Sequence, residues 1–384
     1  MPCLKQPPQP NCQGPDGAAL QMCASCRNRK NIGGRRNSVV GLAVGGASGR
    51  DIQAGWNTRM SVIVSDLFQE AYRAAQDQHP NNGAGAWSFC ISGSGAREEA
   101  CPFSDLDCFI LVAYPTPAVL EVMRAAARNM RQMLTDMGED GNIDTLGLRF
   151  CGGGLHPLGL GVASAPELIN APGPLASLIE QDGINGHICQ GLSESRCVCG
   201  SEDLHREYRG EVEAVRGKSL SAPWSRPMLP AKKKLGLEMI GKAANQRAMR
   251  DETEVDIKTD VYRIPQVMLA GLAAYYGIED QNSFRIVTAL RARDKITRRC
   301  EQAFNNVLDV VAQFRTMAHL EQGREADTLA PTEKRNATKL PDTEWKQLMA
   351  CKADLYLMQQ LGLEFVKNKK NALKGNRTNP FAIG

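Results

Sequence analysis

Apolar positions change their period along the chain, and the changes mark out its elements. Met60, Val64, Leu67, Ala71 and Ala75 recur every three to four residues. That spacing predicts an amphipathic helix opening at Thr58 and ending before His79-Pro80. Two short continuous runs follow, Trp87 to Ile91 and Cys108 to Tyr114, which predict buried strands. Thr116-Pro117 supplies a cap and a first-turn proline for a second helix. Its core stripe is Leu120, Met123, Ala127, Met130, Leu134 and Met137, and Gly138 and Gly141 end it. Ile143 to Phe150 predicts a third strand, and 174–216 predicts helix, with Cys197 and Cys199 as thiols on it.

After a proline-marked joint from Pro223 to Pro230 the period is helical. Pro265 opens one helix and Gly277 stops it. A longer helix carries Ile296, Cys300, Phe304, Val307, Val311, Phe314, Met317 and Leu320 on one stripe. The last opens near Asp342 and buries Trp345, Leu348, Leu355, Met358 and Phe365. Helices joined by short polar links predict a bundle. The expected division is a disordered or export-type tail over 1–55, an α/β core over 56–220, and an all-helical domain over 221–384 that ends in a basic tail.

Composition narrows the classes. Of 384 residues, 42% are hydrophobic and 23% charged, which is ordinary for a water-soluble globular protein. A net charge of +4 does not single out nucleic acid or membrane as a partner. No apolar run is long enough to span a bilayer, and the first residues lack the apolar stretch of a secretory signal. The 13 cysteines include Cys90, Cys101, Cys108 and Cys151 in or beside predicted strands. Buried free thiols there point to a reducing compartment, most simply a cytosol, with a secreted effector acting in a host cytosol as the alternative. Cys23 and Cys26 have zinc-knuckle spacing but no second pair at a suitable distance.

The chemistry concentrates in Ile91 to Tyr114. Asp105 and Asp107 flank Leu106 at the mouth of the second strand, so strand alternation turns both carboxylates to one face. Two such groups repel unless a cation lies between them, and Mg²⁺ is bound through one or two carboxylates plus substrate phosphates. Gly93 and Gly95 remove Cβ atoms where a phosphate chain approaches the backbone.

Gly93-Ser94, then Arg97, Glu99, Pro102, Ser104, Asp105 and Asp107, resembles the signature of the nucleotidyltransferase superfamily, in particular the branch of the protein-PII uridylyltransferases. Ala96 and Glu98 depart from it, since glycine is usual at both places there. The resemblance implies a polymerase-β-like fold: a small mixed sheet followed by an all-helical domain. It also implies transfer of a nucleoside monophosphate from ATP or UTP to a hydroxyl, with two Mg²⁺ ions (or Mn²⁺) on Asp105 and Asp107. Gly93, Ser94 and Arg97 would contact the phosphates. Asp144 is the candidate third carboxylate, because it is the acidic residue within the third apolar run; His156 reads as a loop residue. Gln190 to Leu204 is similar to a segment downstream of the core in that branch. Lys258 and Arg263 resemble a motif opening its helical domain, where both would reach the triphosphate. The expected acceptor is a protein side chain. The alternatives are an RNA or tRNA 3′ end, and a catalytically weak nucleotide-binding module.

Overall fold

The computed structural model describes residues 33–34, 36–39, 41–42, 45–80, 85–104, 106–136, 169–182, 194–218, 231–249, 253–372 and 381. The chain divides into two compact units. The first holds 54–219, and the second holds 43–53 together with 220–322 and 326–384.

Helix α1 is Gly49–Gln78, opening nine residues before Thr58 and inside the stretch expected to be tail. A capping box explains the earlier start: the Ser48 hydroxyl donates to the Asp51 carboxylate (2.7 Å) and accepts from the Asp51 amide (3.1 Å). Ile52 and Trp56, both buried, extend the apolar stripe back towards that cap.

In the first unit, β1 (Trp87–Ser92) pairs antiparallel with β2 (Cys108–Val112), Trp87 opposite Val112 and Ile91 opposite Cys108. Helix α2 (Pro117–Asp136) follows, capped by Thr116, whose hydroxyl accepts from the Val119 amide at 3.3 Å. Then come β3 (Ile169–Asn170), α3 (Pro172–Asp182), β4 (Ser195–Gly200) and α4 (Glu202–Lys218). The sheet order is β3-β2-β1-β4, with β3 parallel to β2 and β4 antiparallel to β1. Alternation decides each face. Phe89 stacks on Phe68 of α1 (centroids 4.2 Å), while Cys90 and Phe109 face Tyr208 of α4 and Leu175 of α3. Met123 and Met130 are fully buried, so the methionine stripe is core.

The expected helix over 174–216 is therefore interrupted by a strand, and Cys197 and Cys199 lie on β4. The ladder to β1 satisfies the backbone groups of Arg-Cys-Val-Cys and makes it a strand. The expected strand 143–150, with Asp144 and His156, lies outside the described residues.

The second unit comprises α5 (Ala231–Ala244), α6 (Arg263–Tyr276), α7 (Ser283–Ala292), α8 (Arg298–Gln322) and α9 (Asp342–Ala372) around one core. Gly277 ends α6 with φ +66°, the left-handed cap that glycine adopts without penalty. The unit is not purely helical: β5 (Val255–Asp256), β6 (Thr328–Ala330) and β7 (Thr338–Lys339) form a small sheet. A π-helical turn, Ile257–Tyr262, joins β5 to α6. Asp327 anchors this corner, paired with Arg315 at 2.7 Å and His319 at 3.1 Å. Burial alone would raise the Asp327 carboxyl, but those two partners outweigh it and hold the group well below the usual carboxylate range. No helix among the described residues is long and apolar enough to cross a membrane.

Candidate active site

Strand β1 ends at Ser92, and the chain enters a one-turn helix, Gly93–Ala96. The turn is closed from behind: Arg97, Glu98 and Glu99 amides donate to the Gly93, Gly95 and Ser94 carbonyls at 3.2, 3.2 and 2.8 Å. In a helical turn the amides point the opposite way, so those of Gly93 and Ser94 lead its open end. Gly93 has φ +58°, and a Cβ built on it would lie 2.6 Å from Asp107 Oδ2. Position 93 therefore excludes a side chain twice over, by backbone conformation and by the carboxylate beside it. The Ser92 amide donates to the Asp107 carbonyl at 2.8 Å, which fixes Asp107 at the mouth of β2 against this turn. Asp105 lies outside the described residues.

Carboxylate oxygens are the ligands that Mg²⁺ takes, and the missing Cβ at Gly93 leaves open the space next to Asp107 Oδ2. The donor type suits a magnesium-bound phosphate chain, and a glycine at 93 keeps a side chain off that carboxylate. Among the described residues no three carboxylate, histidine or cysteine groups converge as a metal-ligand set.

Arg97 is buried, and its guanidinium meets Glu99 at 3.0 Å and Glu194 at 2.6 Å. Glu99 is buried as well, so the pair belongs to the interior of the unit. Sequence reasoning missed the partner Glu194. It precedes β4, and the pairing of Ser195 with Ser92 brings it to the same end of the sheet as Gly93 and Asp107. The one signal available was its place in the Gln190 to Leu204 segment.

Asn57 on α1 was also missed. Its amide nitrogen donates to the Ala100 carbonyl (2.9 Å) and its amide oxygen accepts from the Ala100 amide (3.3 Å), tying down the loop that leads to Asp107. Glu98 has φ +60°, the left-handed conformation that glycine takes more easily, at a cost of about 1–2 kcal/mol. Its carboxylate compensates by reaching Arg196 at 3.7 Å, and Arg196 in turn donates to the Ser61 hydroxyl at 2.7 Å.

Residues 42–154 match the family model "Putative nucleotidyltransferase DUF294". This stretch is similar to a nucleotidyltransferase domain. The match takes in Gly93, Ser94, Arg97 and Asp107, along with α1, β1, β2 and α2. No curated protein matches the chain at a significant level.

Beside this turn, the β4 end of the sheet contributes two further features. His205 of α4 shares a hydrogen bond with the Ser195 hydroxyl at 3.1 Å. Burial, and then the Arg209 charge, push its pKa down to about 4, so the imidazole is neutral at physiological pH. Cys90 and Cys197 face each other across β1 and β4. Burial raises the Cys90 thiol, and the hydrogen bond with Cys90 lowers Cys197.

The second unit holds the other two expected nucleotide contacts. Lys258 lies on the π-helical turn, 3.9 Å from Asp327, and Arg263 opens α6 with its side chain exposed.

Proposed function

We propose that this protein transfers a nucleoside monophosphate from an NTP, ATP or UTP, to a hydroxyl on a protein, releasing pyrophosphate. The acceptor oxygen attacks the α-phosphorus, the bond to the bridging oxygen breaks, and the electron pair leaves with pyrophosphate. The single observation behind this reading is the contact between position 93 and Asp107: a side-chain-free turn held against a carboxylate.

Each residue then has a task. Gly93 and Ser94 present amides, with the Ser94 hydroxyl beside them, to the β- and γ-phosphates. Asp105 and Asp107 would hold two Mg²⁺ ions, which neutralise charge on the triphosphate and leaving group and lower the pKa of the acceptor hydroxyl. Arg97 acts by orienting Glu99 and Glu194. Glu194, brought to this sheet end by β4, is a second candidate beside Asp144 for the carboxylate that accepts the acceptor proton. A protein acceptor is favoured by the resembled branch.

The test incubates the protein with each of four α-labelled NTPs, Mg²⁺ and whole-cell extract. Label on protein is the expected outcome. Label on RNA would move the acceptor to a 3′ end, and no label with either would leave a nucleotide-binding module.

A further inference from the structure

Three lysines from separate parts of the second unit converge on one aromatic cluster. Tyr275 and Tyr276 close α6, and Phe365 lies on α9. The Tyr275 ring centroid is 5.1 Å from that of each neighbour. Lys233 of α5 places its Nζ 5.6 Å from the Tyr275 centroid, and Lys295, beyond α7, places its Nζ 5.6 Å from that of Tyr276. Lys369 of α9 reaches both Tyr275 (5.9 Å) and Phe365 (5.5 Å). All three are half-buried.

Lysines on a surface ordinarily spread apart, laying their stems on apolar rings and turning their charges outwards. These three are drawn together. Lys233 and Lys369 share the Tyr275 ring, and burial first, then the Lys233 and Lys295 charges, depress the Lys369 ammonium below its ordinary value. Among the described residues neither Lys233 nor Lys369 has an ion pair with a carboxylate. The ring faces offset part of the repulsion. An anion among the ammonium groups would offset the rest.

We propose that Lys233, Lys295 and Lys369 form a binding site for a compact polyphosphate anion, either inorganic triphosphate or the triphosphate of a nucleotide. Three cations match an anion of several charges, which a carboxylate does not supply and a phosphate chain does. Lysine binds phosphate as a point charge, without the planar fork that favours carboxylates. The aromatic faces carry ammonium groups, so they do not offer the open stacking platform of a single-strand nucleic-acid groove. The site uses none of the residues assigned to transfer, and its test is separable from that of the reaction.

The full chain is titrated calorimetrically with sodium tripolyphosphate, ATP and a single-stranded RNA oligomer, in EDTA so that no metal bridges phosphate to Asp107. Tripolyphosphate should bind saturably, more weakly at high salt, and with equal affinity to Asp107→Asn protein. ATP binding more tightly than tripolyphosphate, and weakened by Lys369→Gln but not by Asp107→Asn, would assign the anion to a nucleotide, and equal binding to the phosphate chain alone. Lys233→Gln and Lys369→Gln should each weaken binding about tenfold or more, as expected for losing one close charge pair. Both should leave the ligand-free melting temperature unchanged or higher, because repulsion is relieved. Lys369→Arg should retain binding, which separates charge from packing. Absence of tripolyphosphate binding to the unaltered protein would overturn the proposal. So would unchanged affinity in both glutamine variants, or RNA binding that tripolyphosphate does not compete.

Discussion

A Cβ at Gly93 would stand 2.6 Å from Asp107 Oδ2, so the bare turn and the carboxylate specify one another. Gly93→Ala brings left-handed strain of about 1–2 kcal/mol and a collision that displaces the carboxylate. Turnover should fall on the order of a hundredfold, because misplacement of about 1 Å is enough for that loss. Ser94→Ala keeps every backbone donor and should stay within a few-fold of the unaltered protein. Steady-state transfer and NTP affinity, measured for both, check the contrast. Equal activity of the two variants would remove the phosphate-turn assignment.

Asp107→Asn keeps the shape and removes the charge. Transfer should drop on the order of a hundredfold or more, the scale of a lost acid–base or metal group. Asp105→Asn should behave in the same way. Full turnover in both variants would refute the metal-site reading.

Arg97 is buried between Glu99 and Glu194, and removing it takes a charge partner from both carboxylates. Arg97→Met should cost about 3–5 kcal/mol of stability by denaturant unfolding, the range for breaking a buried pair from one side. Adding Glu99→Gln to that variant should restore part of the loss, because one stranded charge is gone. Additive losses in the double variant would show that the pair is not coupled.

His205 gives a pH test. Its folded pKa, about 4, lies below the ordinary histidine value, so between about 6.5 and 4 the unfolded chain binds a proton that the folded chain does not. Stability should therefore fall as the pH drops through that window and level off below it. His205 is partly solvated, and screening reduces its share to about 1–2 kcal/mol. His205→Gln should flatten this part of the stability profile in denaturant unfolding recorded across the window. An unchanged slope would mean that other groups govern it.

The elements legible in the sequence are those that local physics dictates. Helices α2, α6 and α9 declare themselves because one face must be buried every three to four residues, and Pro117, Gly277 and Asp342 mark their ends. The turn and the Asp107 carboxylate were legible too, since both belong to a single hairpin whose partners are close in sequence. The start of α1 was misplaced because its cap, Ser48 with Asp51, stands in a stretch whose composition looks like tail.

Contacts between distant segments were decided only by the tertiary structure. Ser195 to Gly200 becomes a strand because β1 presents unsatisfied backbone groups along its edge, a cause that no window around those six residues contains. That pairing carries Glu194 to Arg97 across 97 positions, and Asn57 reaches Ala100 across 43. The same holds for Lys233, Lys295 and Lys369, which lie far apart in the sequence. Helix packing gathers them on one aromatic cluster, and charge repulsion, which depends on distance in space, then sets them apart from the other lysines.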